Sequence, residues 1–211
     1  MVGHHVEEVI DVAEHGIGDL SLRRLAEALG TSHRVLSHHF GSREGLLVAI
    51  VRAVEQRERA GMPDRLGAGD GELPSPEAAW AWWEHISAPS LWPNERLFFE
   101  LYVAAMQGRD YAAPLLEGVV EDWVEAAAQQ LIAAGLDARA ARARARLGVA
   151  VTRGLLLDLL ATGDREGVDA AMRAFIEMQL DGVRAAAHAA VAPRSAQSGQ
   201  PASTHSWNRA T

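Results

Sequence analysis

The sequence predicts an all-α protein: an N-terminal three-helix helix-turn-helix head, joined through a fourth helix to a larger helical body. Three observations carry that expectation. Apolar residues recur at three- and four-residue spacing along almost the whole chain of 211 residues. Capping residues and glycine stops fall at the places where that spacing breaks. No stretch alternates apolar and polar residues as a half-buried strand would, and no internal repeat is visible.

The first helix is read from Val6, Val9, Ile10 and Ala13, with Gly16 as its stop. Ser21 caps the second, which turns Leu22, Leu25, Ala26 and Leu29 inward and ends at Gly30. Ser32 caps a short third helix carrying Val35 and Leu36, closed by Phe40 and Gly41. Ser42 caps the fourth, expected over 43–59, where Leu46, Leu47, Ile50, Val51 and Val54 repeat at three and four. Residues 60–76 hold four glycines and three prolines, the composition of a flexible junction. In the body, 77–87 reads as a Trp-rich helix, and 94–108 is apolar on nearly all sides, the mark of a buried central helix. The segment 115–134 carries one stripe, Leu116, Val119, Val120, Trp123, Ala127 and Leu131, and stops at Gly135. Two long helices, 138–161 and 166–190, are split by Thr162, Gly163 and Asp164. The Ser-, Gln-, Pro- and Ala-rich end is expected to be disordered. The expected units are therefore a head over 1–59, a junction over 60–76, a body over 77–190 and a tail over 191–211.

Composition narrows the function. Hydrophobic residues make up 48% of the chain, enough for a sizeable core. The absence of cysteine excludes disulfides and thiolate metal sites. No apolar run reaches the roughly 18 residues that span a bilayer, and the N-terminus has no signal-peptide core, so a cytoplasmic protein without a membrane partner is expected. Nine histidines include no pair spaced for one helix face around a metal. Nucleophile-elbow, phosphate-loop and dinucleotide patterns are missing, so neither an enzyme nor a cofactor is expected.

A net charge of −8 argues against a nucleic-acid partner until its distribution is considered. Between residues 20 and 52, five arginines (Arg23, Arg24, Arg34, Arg43, Arg52) meet two acids, Glu27 and Glu44, and His33, His38 and His39 lie in the same stretch. A basic end on an acidic body suits a protein that touches DNA with one end. Every one of the 20 basic residues is arginine. Arginine clustering is therefore weak as a signal, and the Arg-rich 139–146 reads as the solvated start of a helix.

The most informative run is SLRRLAEALGTSHRVLSHHFGSREGLL, residues 21–47. Two short helices joined by a tight Gly-containing turn give a helix-turn-helix, with Leu25, Ala26, Leu29, Val35 and Leu36 facing each other across the turn. The small Ala26 stands where the helices cross. At these residues the chain resembles the TetR family of bacterial repressors. The matching features are Ser21-x-Arg23-x-Leu25-Ala26, the turn at Gly30, the Ser32-capped helix, Leu36-x-x-x-Phe40, and Ser42-Arg43-Glu44-x-Leu46-Leu47. Ser37, Thr31 and Arg34 stand where the family commonly has Tyr, an aliphatic and a small residue.

The resemblance implies a DNA-binding transcriptional regulator: a homodimeric repressor released from a palindromic double-stranded operator by a small molecule. Within that frame Ser32, His33, Arg34, Ser37 and His38 are candidates for base edges, with Arg34 able to grip a guanine bidentately. His39 and Arg43 lie within reach of phosphate. Ser21 and Arg23 begin the second helix, where free backbone N–H groups favour phosphate.

The body is implied to bind ligand and to dimerise. Trp83, Phe98, Tyr102, Met106, Val120 and Trp123 are candidates for a pocket taking a small apolar or aromatic ligand, and ordinary core packing accounts for the same residues. Glu117 and Arg153 are polar groups of such a pocket or of a solvated face. The last helix shows two apolar faces: Met172, Ile176, Leu180 and Val183 on one, Ala171, Phe175, Met178 and Gly182 on the other. A monomer needs one, so the second face, with Val151, Gly154, Leu155 and Leu159, is the expected dimer interface. The alternative function is a helical small-molecule-binding protein or enzyme with a vestigial DNA-binding head.

Overall fold

The computed structural model describes Ala26, residues 32–67 and residues 73–191, and every regular element among them is helical. The expected first helix, most of the second, the turn that follows and the tail beyond Val191 lie outside the described residues.

The helix α1, His33–Phe40, starts where Ser32 accepts a hydrogen bond from the Val35 backbone N–H, at 3.3 Å. It ends at Gly41, whose φ of 70° carries the chain away from the helix. Ser42 caps α2, Arg43–Arg65, in the same manner, accepting from the Gly45 N–H at 3.0 Å. A side chain at Gly45 would put its Cβ 2.2 Å from the Phe40 carbonyl oxygen, so the two helices meet backbone to backbone there. The helix α3, Pro76–Ile86, has a Ser75 cap and proline in its first turn. A 3₁₀ turn, Pro89–Leu91, leads into α4, Trp92–Met106. The helices α5, Glu121–Ala133, α6, Ala138–Thr162, and α7, Arg165–Val191, complete the body. Asp137 caps α6 by accepting from the N–H groups of Arg139 and Ala140, and Gly163 at φ 71° ends it.

Three elements differ from expectation. The fourth helix, α2, runs through Ala60 to Arg65 and so occupies the first part of the expected junction. Met62 is buried and anchors the additional turn, within which Pro63 can donate no hydrogen bond to the backbone four residues earlier. The expected helix over 115–134 is broken. Its first residues belong to a 3₁₀ turn, Ala113–Leu116, and Gly118 at φ 73° reorients the chain before α5 begins. Leu116 is consequently exposed. The central helix α4 buries Phe98, Leu101 and Ala105 but leaves Val103 and Met106 in solvent, so it is amphipathic rather than buried on all sides.

The core has three parts. Ala26, Leu36, Leu46, Leu47, Ile50 and Val51 pack with Phe98, Leu101, Leu115 and Val119, so the base of the head and the body share one apolar cluster through α2. Trp83 and Ile86 pack with Leu156, Leu159, Val168, Met172, Ile176 and Leu180, joining α3, α6 and α7. Val124, Ala128, Leu136, Ala141, Ala145 and Val183 form the third, between α5, α6 and α7. The expected inner face of α7 (Met172, Ile176, Leu180, Val183) is buried at all four positions. Arginines of 139–146 are tied to neighbours: Arg142 bonds Glu121 and Glu125, Arg146 bonds Glu121, and Arg144 donates to the Gly182 carbonyl.

Candidate nucleic-acid interface and internal cavity

The inner side of α1 is held by Leu36, buried in the cluster that contains Ala26, with Phe40 packed against it. The outer side therefore points to solvent, and Ser32, Arg34, Val35 and His38 are exposed on it. Ser37 and Arg43 are partly buried. For His33 and His39 the backbone is described and the side chain is not; Ser21 and Arg23 lie outside the described residues. Val35, which the spacing places toward the second helix, is instead 41% exposed between Arg34 and His38. An eight-residue helix offers a narrow inner face, and Leu36 with Phe40, four positions apart, already fills it. Val35 joins the outer face.

Behind α1, α2 is tied to the body by a row of polar contacts. Arg52 bonds Glu117 at 3.3 Å, Glu55 accepts from the Trp123 Nε1–H at 2.8 Å, and Arg59 pairs with Asp122 at 3.2 Å. On the other side Glu58 meets His85 Nε2 at 2.7 Å. Arg153 is the hub: its Nη2 donates to Glu55 at 3.2 Å and to the Val119 carbonyl, and its guanidinium lies over Phe98, 5.0 Å from the ring centre. Burial holds the Glu55 carboxyl above the usual carboxylate range, against the opposing pull of Arg153, the Trp123 hydrogen bond and Arg59.

Beneath this row lies an internal cavity of about 260 Å³, walled by all six helices from α2 to α7. Of the six residues expected at a pocket, the structure brings Trp83, Phe98 and Trp123 to this cavity. Tyr102, Met106 and Val120 are not on its wall. Met106 is 61% exposed, because α4 is amphipathic and turns that side outward; Tyr102 stacks on Phe98 from behind, and Val120 packs between core clusters. Arg153 lines the cavity, whereas Glu117 belongs to an open cleft between α2 and residues 110–122.

Sequence reasoning missed the acids of the cavity, Glu55, Glu58 and Glu95. The signal was present. Glu55 follows Val51 by one turn, and Glu95 precedes Phe98 by three residues, so both fall on apolar stripes. Burial, with the charge of Glu55 adding to it, pushes the Glu95 carboxyl up to about 8 against the pull of Arg153.

The expected dimer face divides. Leu159 is fully buried inside the subunit, Leu155 and Phe175 pack against the α3, α6 and α7 cluster, and Gly182 is covered by Arg144. Those four serve the subunit's own core, because α7 crosses α6 and α3 on a wider face than one stripe. Val151 is partly buried, and Gly154, Ala171 and Met178 are exposed. Leu147 and Leu157, which were not expected there, are exposed on α6 as well.

Residues 12–50 match the family model described as bacterial regulatory proteins, tetR family. Over those residues the chain is similar to the TetR family. The helix-turn-helix residues read from the sequence fall within that match. Over 40 residues the chain is 48% identical to the HTH-type transcriptional repressor AcnR of Corynebacterium glutamicum, a stretch covering 19% of this chain and 21% of that protein. The chain thus matches about a fifth of the length of that curated relative. Two solved structures share the fold across the body of the chain. A TetR-family regulator from a Rhodococcus species superposes with a TM-score of 0.62 at 19% identity, covering 86% of this chain and 98% of that one. AlkX, a TetR-family repressor from a Dietzia strain, gives 0.58 at 18% identity, with 87% and 95% covered.

Proposed function

We propose that this chain is a transcriptional repressor that binds a palindromic operator as a homodimer and is released by a small molecule held in the internal cavity. The observation that carries the reading is α1, a serine-capped helix with its inner face locked into the core and Arg34, Val35 and His38 presented outward. That is what a major groove requires of a recognition helix: fixed orientation and an exposed, hydrogen-bonding face. Arg34 with Ser32, Ser37 and His38 reads bases, and Arg43, His39, Ser21 and Arg23 hold phosphates. Such a protein works in the cytoplasm, and no described helix is long and apolar enough to cross a membrane.

A second copy of the chain covers the exposed apolar side of α6 and α7, where Leu147, Gly154, Leu157, Ala171 and Met178 lie. The dimer sets two recognition helices about 34–36 Å apart, one turn of DNA. The cavity then acts on that spacing through α2, because Glu55 and Glu58 belong both to its wall and to the helix that carries α1.

Binding of the purified protein to the DNA upstream of its own gene tests the reading. A specific complex whose affinity falls linearly in log–log with salt is expected. Equal, weak binding to all duplexes would favour a small-molecule-binding protein or enzyme with a vestigial head.

A further inference from the structure

Among the described residues the wall of the cavity holds one carboxyl that no group of the wall meets, and two donors, Arg153 Nη1 and Gln130 Nε2, are buried there without a partner as well. Glu55 is bonded by Trp123 and Arg153, and Glu58 by His85. Glu95, on α4, makes no hydrogen bond or ion pair among the described residues; burial and the charges of its neighbours alone act on it. Three acids thus surround this end of the cavity, Glu55 and Glu58 from α2 and Glu95 from α4, with Arg153 from α6 as the cation among them. Arg144, the other arginine of the wall, is drawn away to the Gly182 carbonyl. The remaining surface is mostly aromatic and aliphatic, with Gln130, Thr152 and Gln179 set into it, and the rings of Trp82 and Trp123 lie 6.3 Å apart beside the acids.

An anion here would add to three carboxyls against the single guanidinium of Arg153. A neutral molecule without an acceptor would leave Glu95 holding a proton with nothing to donate it to. A cation replaces that proton, satisfies Glu95 and meets the faces of the tryptophans, which attract positive charge. We propose that the ligand of this cavity is a hydrophobic monocation, a substituted ammonium on an aromatic or aliphatic body, with its charge set against Glu95. The proposal rests on the reading of the cavity as the ligand site.

Calorimetric titration with three probes of nearly one shape separates the two. Benzyltrimethylammonium carries a permanent charge, neopentylbenzene is its uncharged isostere, and pivalophenone offers a neutral acceptor. The cation is expected to bind at least about ten-fold more tightly than either neutral probe at pH 9. Because Glu95 holds its proton up to about 8, the cation must displace it at lower pH, so its affinity rises about ten-fold from pH 7 to pH 9. Glu95→Gln should erase both the pH dependence and the preference for the cation. Equal affinity for the cation and its isostere would overturn the monocation while leaving the cavity as a ligand site. Tighter binding of the ketone would overturn it in favour of Glu95 as a hydrogen-bond donor. No binding of any probe would overturn the cavity reading and the proposal together.

Discussion

Arg153 joins α6 to the helix that carries the head, and its removal should be felt as a loss of coupling between them. Arg153→Leu deletes two hydrogen bonds, to Glu55 and to the Val119 carbonyl, and the stacking over Phe98 and Tyr102 at 5.0 and 5.8 Å. The two charged side chains are 17% and 21% exposed, so solvent screens the pair only slightly. Stripping one partner from a fully buried pair costs about 3–5 kcal/mol. Here Glu55 keeps the Trp123 hydrogen bond and accepts a proton readily, which brings the expected cost to about 2–3 kcal/mol in urea unfolding. Glu55→Gln should cost about 1–2 kcal/mol, since the amide oxygen still accepts from Trp123. The double variant should cost less than the sum by about 1–2 kcal/mol, the signature of a direct contact. Additivity within about 0.5 kcal/mol would refute Arg153 as the link between α6 and α2.

Three further outcomes follow from the same geometry. Glu95 binds its proton more tightly folded than unfolded, so its contribution is full below about pH 4.5 and is lost as pH rises towards about 8. Glu95→Gln should flatten the fall in stability between pH 5 and pH 9 by about 2–4 kcal/mol, and an unchanged slope would contradict the burial of this carboxyl. Arg34→Ala should weaken operator binding by about 1–3 kcal/mol and relax preference at one base position, whereas Arg43→Ala should weaken all duplexes alike; equal effects of both on specific and random DNA would remove that division of roles. Met178→Glu on the exposed side of α7 should yield monomers by light scattering, while Phe175→Glu should unfold the subunit instead, because Phe175 packs inside it.

The fold class was legible because helices announce themselves twice, in apolar spacing and in caps. Ser32, Ser42 and Asp137 cap the helices at which the sequence places a start, and Gly163 ends α6. What escaped the sequence was direction. Val35 and Leu36 are adjacent apolar residues, and only packing decides which one turns inward. Phe175 and Met178 belong to one stripe in sequence, yet α7 is wide enough that one is packed and the other exposed. Glycine 118 breaks a stripe that reads as continuous, since periodicity does not register a positive φ. The acids of the cavity escaped because a glutamate on an apolar stripe is ordinarily discounted as a surface residue, and its burial depends on helices distant in sequence.

Release of DNA by a ligand, as proposed, requires coupling between the cavity and α1 through α2. That coupling is tested most directly by titrating the protein with benzyltrimethylammonium, free and saturated with operator. Coupling of about 1–3 kcal/mol is expected, so operator should weaken the cation about 5- to 150-fold, and the cation should weaken operator by the same factor. Identical cation affinity in the two titrations would contradict the coupling, leaving the cavity without control over DNA.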